Sequence, residues 1–175
     1  DIGGGSFEMA IGHDGLPAAA VSTPLGAGRL TRSFLTQHPV RPSEVKALRK
    51  HVRTTLRPAV DRIAAGGQPN LVAGTSKTFR SLARICGAAP SGQGPYVQRV
   101  MHLEDLRLWT RRMEAMTVQE RSDLPGVSVN RAEQMLAGGI AAETAMDMLG
   151  VQSLDICPWA LREGVILRRL DWLEA

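Results

Sequence analysis

The sequence predicts an α/β fold: a five-stranded mixed sheet with helices on both faces. Three observations carry this. Residues 6–11 alternate strictly, with Phe7, Met9 and Ile11 on one face and Ser6, Glu8 and Ala10 on the other, the period of a half-buried strand. Val45, Leu48, Val52, Leu56, Val60 and Ile63 recur at helical spacing, the stripe of an amphipathic helix. Two later apolar runs, residues 70–73 and 154–157, are each followed by a helical pattern. Strand, helix, strand in one sheet implies right-handed crossovers.

Taken in order, Ile2 ends a first short apolar strand and Gly3-Gly4-Gly5 turns the chain into the second. His13-Asp14-Gly15 reads as a tight hairpin turn, so a third strand over residues 16–25 lies antiparallel to the second. A helix follows over residues 26–35, with Leu30, Phe34 and Leu35 on one side. The long helix spans residues 41–65, and Ser43 is its expected N-cap. Its other face carries Lys46, Arg49, Lys50, Arg53 and Arg57, with only Glu44 nearby in sequence to offset them. Gly66-Gly67-Gln68-Pro69 ends it.

The fourth strand, residues 70–73, leads through Gly74-Thr75-Ser76-Lys77-Thr78 into a helix ending near Cys86. Residues 87–98, with Pro90, Gly92, Gly94 and Pro95, read as the mobile stretch. Residues 102–116 read as a helix that turns Leu103, Leu106, Trp109 and Met113 inward. Residues 130–149 read as one apolar helix. Gly138-Gly139 in its middle costs about 1 kcal/mol each in helix propensity, so another chain segment must approach closely there. A last strand precedes a final helix, residues 160–172, whose Leu161, Val165, Ile166 and Leu170 are expected to pack inward.

Composition narrows the function. The 175 residues are 43% hydrophobic, enough for one globular domain. No apolar run reaches the ~18 residues of a membrane span. Cys86 and Cys157 read as two buried thiols of a cytoplasmic protein, with no metal spacing. His13, His38, His51 and His102 share no ligand spacing and neighbour no nucleophile, so a serine triad is not supported. A net charge of +4 favours a polyanionic partner. Aromatics are 4% and do not interleave with basic residues, which argues against nucleic acid and leaves a partner offering charge without stacking.

The opening eight residues, Asp1-Ile2-Gly3-Gly4-Gly5-Ser6-Phe7-Glu8, carry the chemistry. Glycine admits φ > 0, lets successive N–H groups converge on one concavity and has no side chain to hold a phosphate away. Ser6 adds a hydroxyl. Asp1 and Glu8 flank the turn, and two acids beside a phosphate cradle suit Mg²⁺. The same pattern also fits a glycine-rich hairpin with ordinary surface acids. A second glycine turn, Gly74 to Thr78, opens a helix, and Thr75, Ser76 and Lys77 can offer donors to an anion there or simply cap the helix. Arg29, early in the helix after the third strand, is the candidate cation.

The eight-residue motif resembles the second phosphate loop of the exopolyphosphatase/guanosine pentaphosphate phosphatase family, of the actin-like phosphotransferase superfamily. Three further stretches resemble the same family in the same order: Leu25-Gly-Ala-Gly-Arg-Leu-Thr31, Val72-Ala-Gly-Thr-Ser-Lys-Thr78 and Trp159-Ala-Leu-Arg-Glu-Gly-Val165. The resemblance implies a ribonuclease H-like domain spanning residues 1–175, the C-terminal half of a two-domain parent. It implies a parent that hydrolyses the terminal phosphate of inorganic polyphosphate or of guanosine pentaphosphate with Mg²⁺. Gly3, Gly4, Gly5, Ser6, Arg29, Thr75, Ser76 and Lys77 would bind phosphate, and Asp1 and Glu8 would be catalytic and hold the metal. The parent's N-terminal domain would be a partner and would supply the glutamate base, and the parent would be a homodimer. A non-catalytic polyphosphate or alarmone sensor is the alternative, and an actin-like ATPase or sugar kinase a third reading. Apart from the resemblance, the basic face of the long helix reads as a solvated surface, with a track for long polyphosphate as the alternative.

Overall fold

The structure is a computed structural model that describes residues 1–13, 16–159 and 161–174. In chain order its elements are β1 (Phe7–His13), β2 (Leu16–Thr23), α1 (Ala27–Phe34), α2 (Pro42–Ala64) and β3 (Ala73–Gly74). Then come α3 (Lys77–Ile85), β4 (Val100–His102), α4 (Leu103–Glu114), α5 (Val118–Ser122) and α6 (Val129–Ala132). α7 (Met135–Met148), β5 (Ser153–Ile156) and α8 (Leu161–Glu174) complete the chain. The hairpin turn expected at Asp14-Gly15 lies outside the described residues.

The fold is α/β, but the single five-stranded sheet is corrected to two sheets. β1 and β2 form an antiparallel pair, from Phe7 opposite Thr23 to His13 opposite Leu16. β3, β5 and β4 form the other in that order, β3 parallel and β4 antiparallel to β5. Two local facts account for the difference. Ile2, expected to end a strand of its own, makes only an isolated antiparallel bridge to Phe7. β4 runs without a break into α4, so His102 reads as the start of the helix and Val100 and Met101 read as no element of their own. Between β1 and β3 lies a cleft of about 490 Å³.

α7 is the hub. Met135, Leu136, Ala137, Ile140, Ala141 and Ala142 are fully buried, and α2, α4, α1 and α3 all pack on it. The close approach expected at its glycines is present. A Cβ on Gly138 would lie 2.7 Å from the Thr78 methyl, and one on Gly139 would lie 2.8 Å from the Thr110 methyl. The helix starts later than expected, because residues 133–134 separate it from α6.

The α2 stripe from Val45 to Ile63 is buried as read. Its N-cap is Arg41 with Pro42 following, a place where proline's missing N–H is no loss; Ser43 falls inside the first turn. The Glu44 carboxylate accepts from the Arg41 N–H at 3.0 Å and from the Thr36 hydroxyl at 2.5 Å. The Thr36 hydroxyl, then the Arg41 amide, hold that carboxyl below the usual range.

Residues 87–98, expected to be mobile, have four carbonyls, of Ala89, Pro90, Gly94 and Val97, that accept from the buried Arg99. A loop's glycines and prolines do not reveal a distant arginine that collects its carbonyls. In α8, Val165, Ile166 and Leu170 are 61%, 60% and 49% exposed, so the inward stripe does not hold for them. Periodicity marks an apolar face without saying what covers it. The side chain of Leu161 lies outside the described residues. Of the two thiols, both half-buried, Cys86 is pushed up to about 12 by burial and then by Asp105.

Candidate active site

The glycine turn is built as a small hairpin. The Glu8 N–H donates to the Asp1 carbonyl, and the Asp1 amine to the Glu8 carbonyl, each at 2.9 Å. The Gly3 N–H donates to the Ser6 carbonyl at 2.9 Å, leaving Gly4 and Gly5 at the tip. Residues paired in this way stand about 5.5 Å apart at Cα, and their side chains leave the same face. Asp1 and Glu8, seven residues apart in sequence, are therefore brought together.

What shapes the tip is α1. The Ala27 N–H donates to the Gly3 carbonyl and the Arg29 N–H to the Gly4 carbonyl, both at 2.9 Å, and Arg29 Nε donates to the Gly5 carbonyl at 3.1 Å. The first amides of a helix have no partner inside it; here they take the turn's carbonyls. The opposite edge of the turn is thereby left free. Among the described residues, the N–H groups of Gly4, Gly5 and Ser6 donate to nothing. A Cβ on Gly4 or Gly5 would meet no atom within 4 Å.

The sequence expected glycine here partly for positive φ. None of the three glycines adopts it; the bend is held by hydrogen bonds to α1, and the open space at the tip is the property left to glycine. Sequence reasoning missed Gly26. A Cβ there would fall 2.3 Å from the Gly5 carbonyl carbon and from the Ser6 nitrogen, so only glycine lets α1 reach the turn. The spacing Gly26-Ala27-Gly28 was visible, but nothing in it named the turn as its contact.

The second glycine turn is engaged differently. Ser76 caps α3, its oxygen accepting from the Phe79 N–H at 3.2 Å and from the Ile2 N–H at 3.2 Å. The Thr78 hydroxyl donates to the Ile2 carbonyl at 2.8 Å, and the Thr75 hydroxyl to Asp1 Oδ2 at 3.0 Å. Ser76 and Thr78 are buried. These hydroxyls grip residues 1–2 and so fix the entry to the first turn. Lys77 is exposed. Arg131, which the sequence reading did not single out, donates to the Thr78 oxygen at 2.9 Å. Its pKa is lowered by burial, then by neighbouring Arg80. No sequence spacing links residue 131 to residue 78.

Asp1 uses one oxygen on Thr75, and Glu8 Oε1 accepts from the Ser22 hydroxyl at 2.9 Å. Each keeps its other carboxylate oxygen. Among the described residues no group of three or more metal-ligating side chains occurs. That donor set fits Mg²⁺, which takes one or two carboxylates and completes its shell with water and phosphate oxygens. It does not fit an all-protein cage.

The basic face of α2 is corrected. Arg49 pairs with Glu143 at 2.9 Å and Glu114 at 3.1 Å, and Arg53 pairs with Asp147 at 2.7 Å. Arg107 shares Asp147. The acids come from α4 and α7, remote in sequence. Lys46, Lys50 and Arg57 remain exposed.

Residues 1–173 match the Ppx/GppA phosphatase family. The chain is 47% identical over 171 residues to Exopolyphosphatase 1 of Mycobacterium leprae, covering 98% of this chain and 50% of that protein. It is 29% identical over 178 residues to Exopolyphosphatase 2 of Mycobacterium tuberculosis, covering 95% and 53%. The type II crystal structure of the Aquifex aeolicus Ppx/GppA phosphatase superposes with a TM-score of 0.82 at 25% identity, over 95% of this chain and 54% of that one. The chain thus spans about half the length of the curated relatives it matches. With a family match over nearly every residue, this chain belongs to the Ppx/GppA phosphatase family.

Proposed function

We propose that this chain is one half of a phosphoanhydride-hydrolysing site, in a parent that releases the terminal phosphate of inorganic polyphosphate or of guanosine pentaphosphate. One observation carries the reading: a glycine tip whose carbonyls are held by α1 and whose amides are free, with two carboxylates on one face beside it. Backbone N–H groups converging on open space are an anion cradle, and α1 keeps them in place before substrate arrives.

In this reading the Gly4, Gly5 and Ser6 amides and the Ser6 hydroxyl hold the phosphoryl group. Arg29, already anchored to the Gly5 carbonyl, turns its remaining guanidinium donors to a phosphate oxygen, and Lys77 stands at the next turn. Asp1 and Glu8 would hold Mg²⁺, which when bound neutralises charge on the phosphate oxygens and orders water. Water attacks the terminal phosphorus, the bond to the bridging oxygen breaks, and orthophosphate leaves a chain shorter by one unit. Catalysis in such transfers is positioning and electrostatic stabilisation. The proton of the attacking water goes to a glutamate base supplied by the parent's N-terminal domain. The parent acts as a homodimer in the cytoplasm, and among the described residues no helix is long and apolar enough to cross a membrane.

Calorimetric titration of this chain with triphosphate tests the reading, run with and without Mg²⁺. Binding should depend on Mg²⁺ and weaken at least tenfold in Glu8→Gln. Equal binding by Glu8→Gln, with or without Mg²⁺, would return Asp1 and Glu8 to surface acids of a glycine hairpin. Phosphate release by the chain alone should be negligible, because the base and the opposing wall of the site are not on it.

A further inference from the structure

We propose that Arg32 is a further phosphate-binding residue of this site: its guanidinium takes the phosphate next to the terminal one, the group that leaves when the bond is cut. The inference rests on the phosphate reading of the Gly3–Ser6 turn and adds a second subsite to it.

Arg32 lies in the last turn of α1. Gly28 stands four residues before it, on the same face of the helix. Helical side chains lean toward the N-terminus, so the Arg32 side chain runs back over that position, and Gly28 leaves it room. A Cβ there would stand 3.4 Å from Arg32 Nη1, 3.2 Å from Gln134 Oε1 and 3.1 Å from the Gly4 carbonyl oxygen. Polar groups from α1, from the residue before α7 and from the glycine turn therefore surround one small notch. The notch borders the turn at Gly4, whose own N–H is free.

The charge of Arg32 is not balanced there. Arg32 is exposed, and among the described residues its guanidinium makes no hydrogen bond or ion pair. Arg49, Arg53 and Arg107, by contrast, each hold a carboxylate. Gln134 is neutral. Glu133 beside it has its carboxylate 3.9 Å from His38. The Gly4 carbonyl already accepts from the Arg29 N–H. Arg29 itself, three residues before Arg32, is anchored at the tip by its bond to the Gly5 carbonyl. Like charges at that spacing on a helix repel, and α1 contains no acid to offset them.

Two neighbouring guanidiniums suit an anion with charge on more than one centre. A terminal phosphate on the Gly4, Gly5 and Ser6 amides meets Arg29. The next phosphate of the same chain falls to Arg32, one turn further along α1. As the bridging bond breaks, negative charge grows on the bridging oxygen, which stays with that second phosphate. A fixed cation beside it stabilises the charge where it develops.

Calorimetric titration of the full chain with orthophosphate and with pyrophosphate tests this, with Mg²⁺ and at one ionic strength. The variants are Arg32→Gln and, as a control, Arg62→Gln, which removes an equal charge from an exposed position on α2. Arg32→Gln should weaken pyrophosphate binding about tenfold, as expected for one charge-assisted hydrogen bond. Orthophosphate binding should change by less than about twofold, and Arg62→Gln should alter neither. The urea midpoint of Arg32→Gln should stay the same, since the side chain makes no internal bond. Equal loss for both anions would put Arg32 on the terminal phosphate and overturn the proposal. A matching loss in Arg62→Gln would make the effect one of net charge and overturn it too. Unchanged pyrophosphate binding in Arg32→Gln, while Glu8→Gln still weakens triphosphate, would leave the cradle standing and remove Arg32 from it. No Mg²⁺-dependent binding of either anion by the unchanged chain would overturn both readings.

Discussion

The two glycine turns look alike in sequence and are put to different uses. Each follows an apolar run and carries hydroxyls, and each can be read as an anion site. At Gly3–Ser6 the carbonyls of Gly3, Gly4 and Gly5 are taken by α1, and the amides of Gly4, Gly5 and Ser6 face open space. At Gly74–Thr78 the hydroxyls are taken up inside the protein, on Phe79, Ile2 and Asp1. The first turn presents donors; the second holds the first in place. What distinguishes a binding loop from a brace is the destination of its polar groups, and that destination is a tertiary fact.

The sharpest break is at Gly26. Its missing Cβ is what lets α1 reach the first turn, and the atoms in the way are backbone, which cannot rotate aside. Gly26→Ala should destabilise the chain by about 3 kcal/mol, at the upper end for overpacking. Urea denaturation checks it. Retained stability would show that α1 can hold the turn from further away.

Thr78→Val probes the brace. It keeps the shape of the side chain but leaves the Ile2 carbonyl without its donor and Arg131 without its acceptor. A buried group left unsatisfied costs about 1–3 kcal/mol. The variant should lose about 2 kcal/mol in urea, and triphosphate affinity should fall only through loss of folded protein. A direct loss of affinity in fully folded Thr78→Val would make the second turn part of the binding surface.

Gly4→Ala sharpens the contrast from the other side. A Cβ at Gly4 meets nothing, so stability should change by no more than about 0.5 kcal/mol, as for an ordinary surface substitution. A phosphate lying against the turn would meet that methyl. Triphosphate affinity should fall about tenfold, which is about 1.4 kcal/mol. Unchanged affinity would mean that the free amides face solvent and no ligand.

Much of this architecture was legible. The alternation through Phe7, Met9 and Ile11, the α2 stripe and the glycines of α7 each encode their own environment, because period and propensity are local properties. Pairing is not local. The split of the sheet depends on what lies beside β1, which residues 6–13 do not record. The position of Ser76 fits an anion donor as well as a helix cap, and nothing near it in sequence names Ile2 as its second partner. Gly26 and Arg131 act on residues far away in sequence, Gly26 on Gly5 and Arg131 on Thr78.

The smallest effect is expected on α2, where sequence placed a third set of phosphate donors. Arg53 is tied to Asp147, which also holds Arg107, so a polyphosphate chain would have to displace a carboxylate to reach it. Arg57 is exposed, but it is one of three exposed cations on this face, with Lys46 and Lys50, so its loss leaves most of that charge in place. The double substitution Arg53→Gln, Arg57→Gln removes one ion pair that is half-exposed at the arginine, a contact worth about 1 kcal/mol or less. Stability should fall by no more than that. The ratio of affinities for long-chain polyphosphate and triphosphate should stay the same at a fixed salt concentration. A selective loss for the long chain would show that polyphosphate outcompetes Asp147 for Arg53, and the brace-and-cradle contrast would then have to admit a second binding surface remote from both turns.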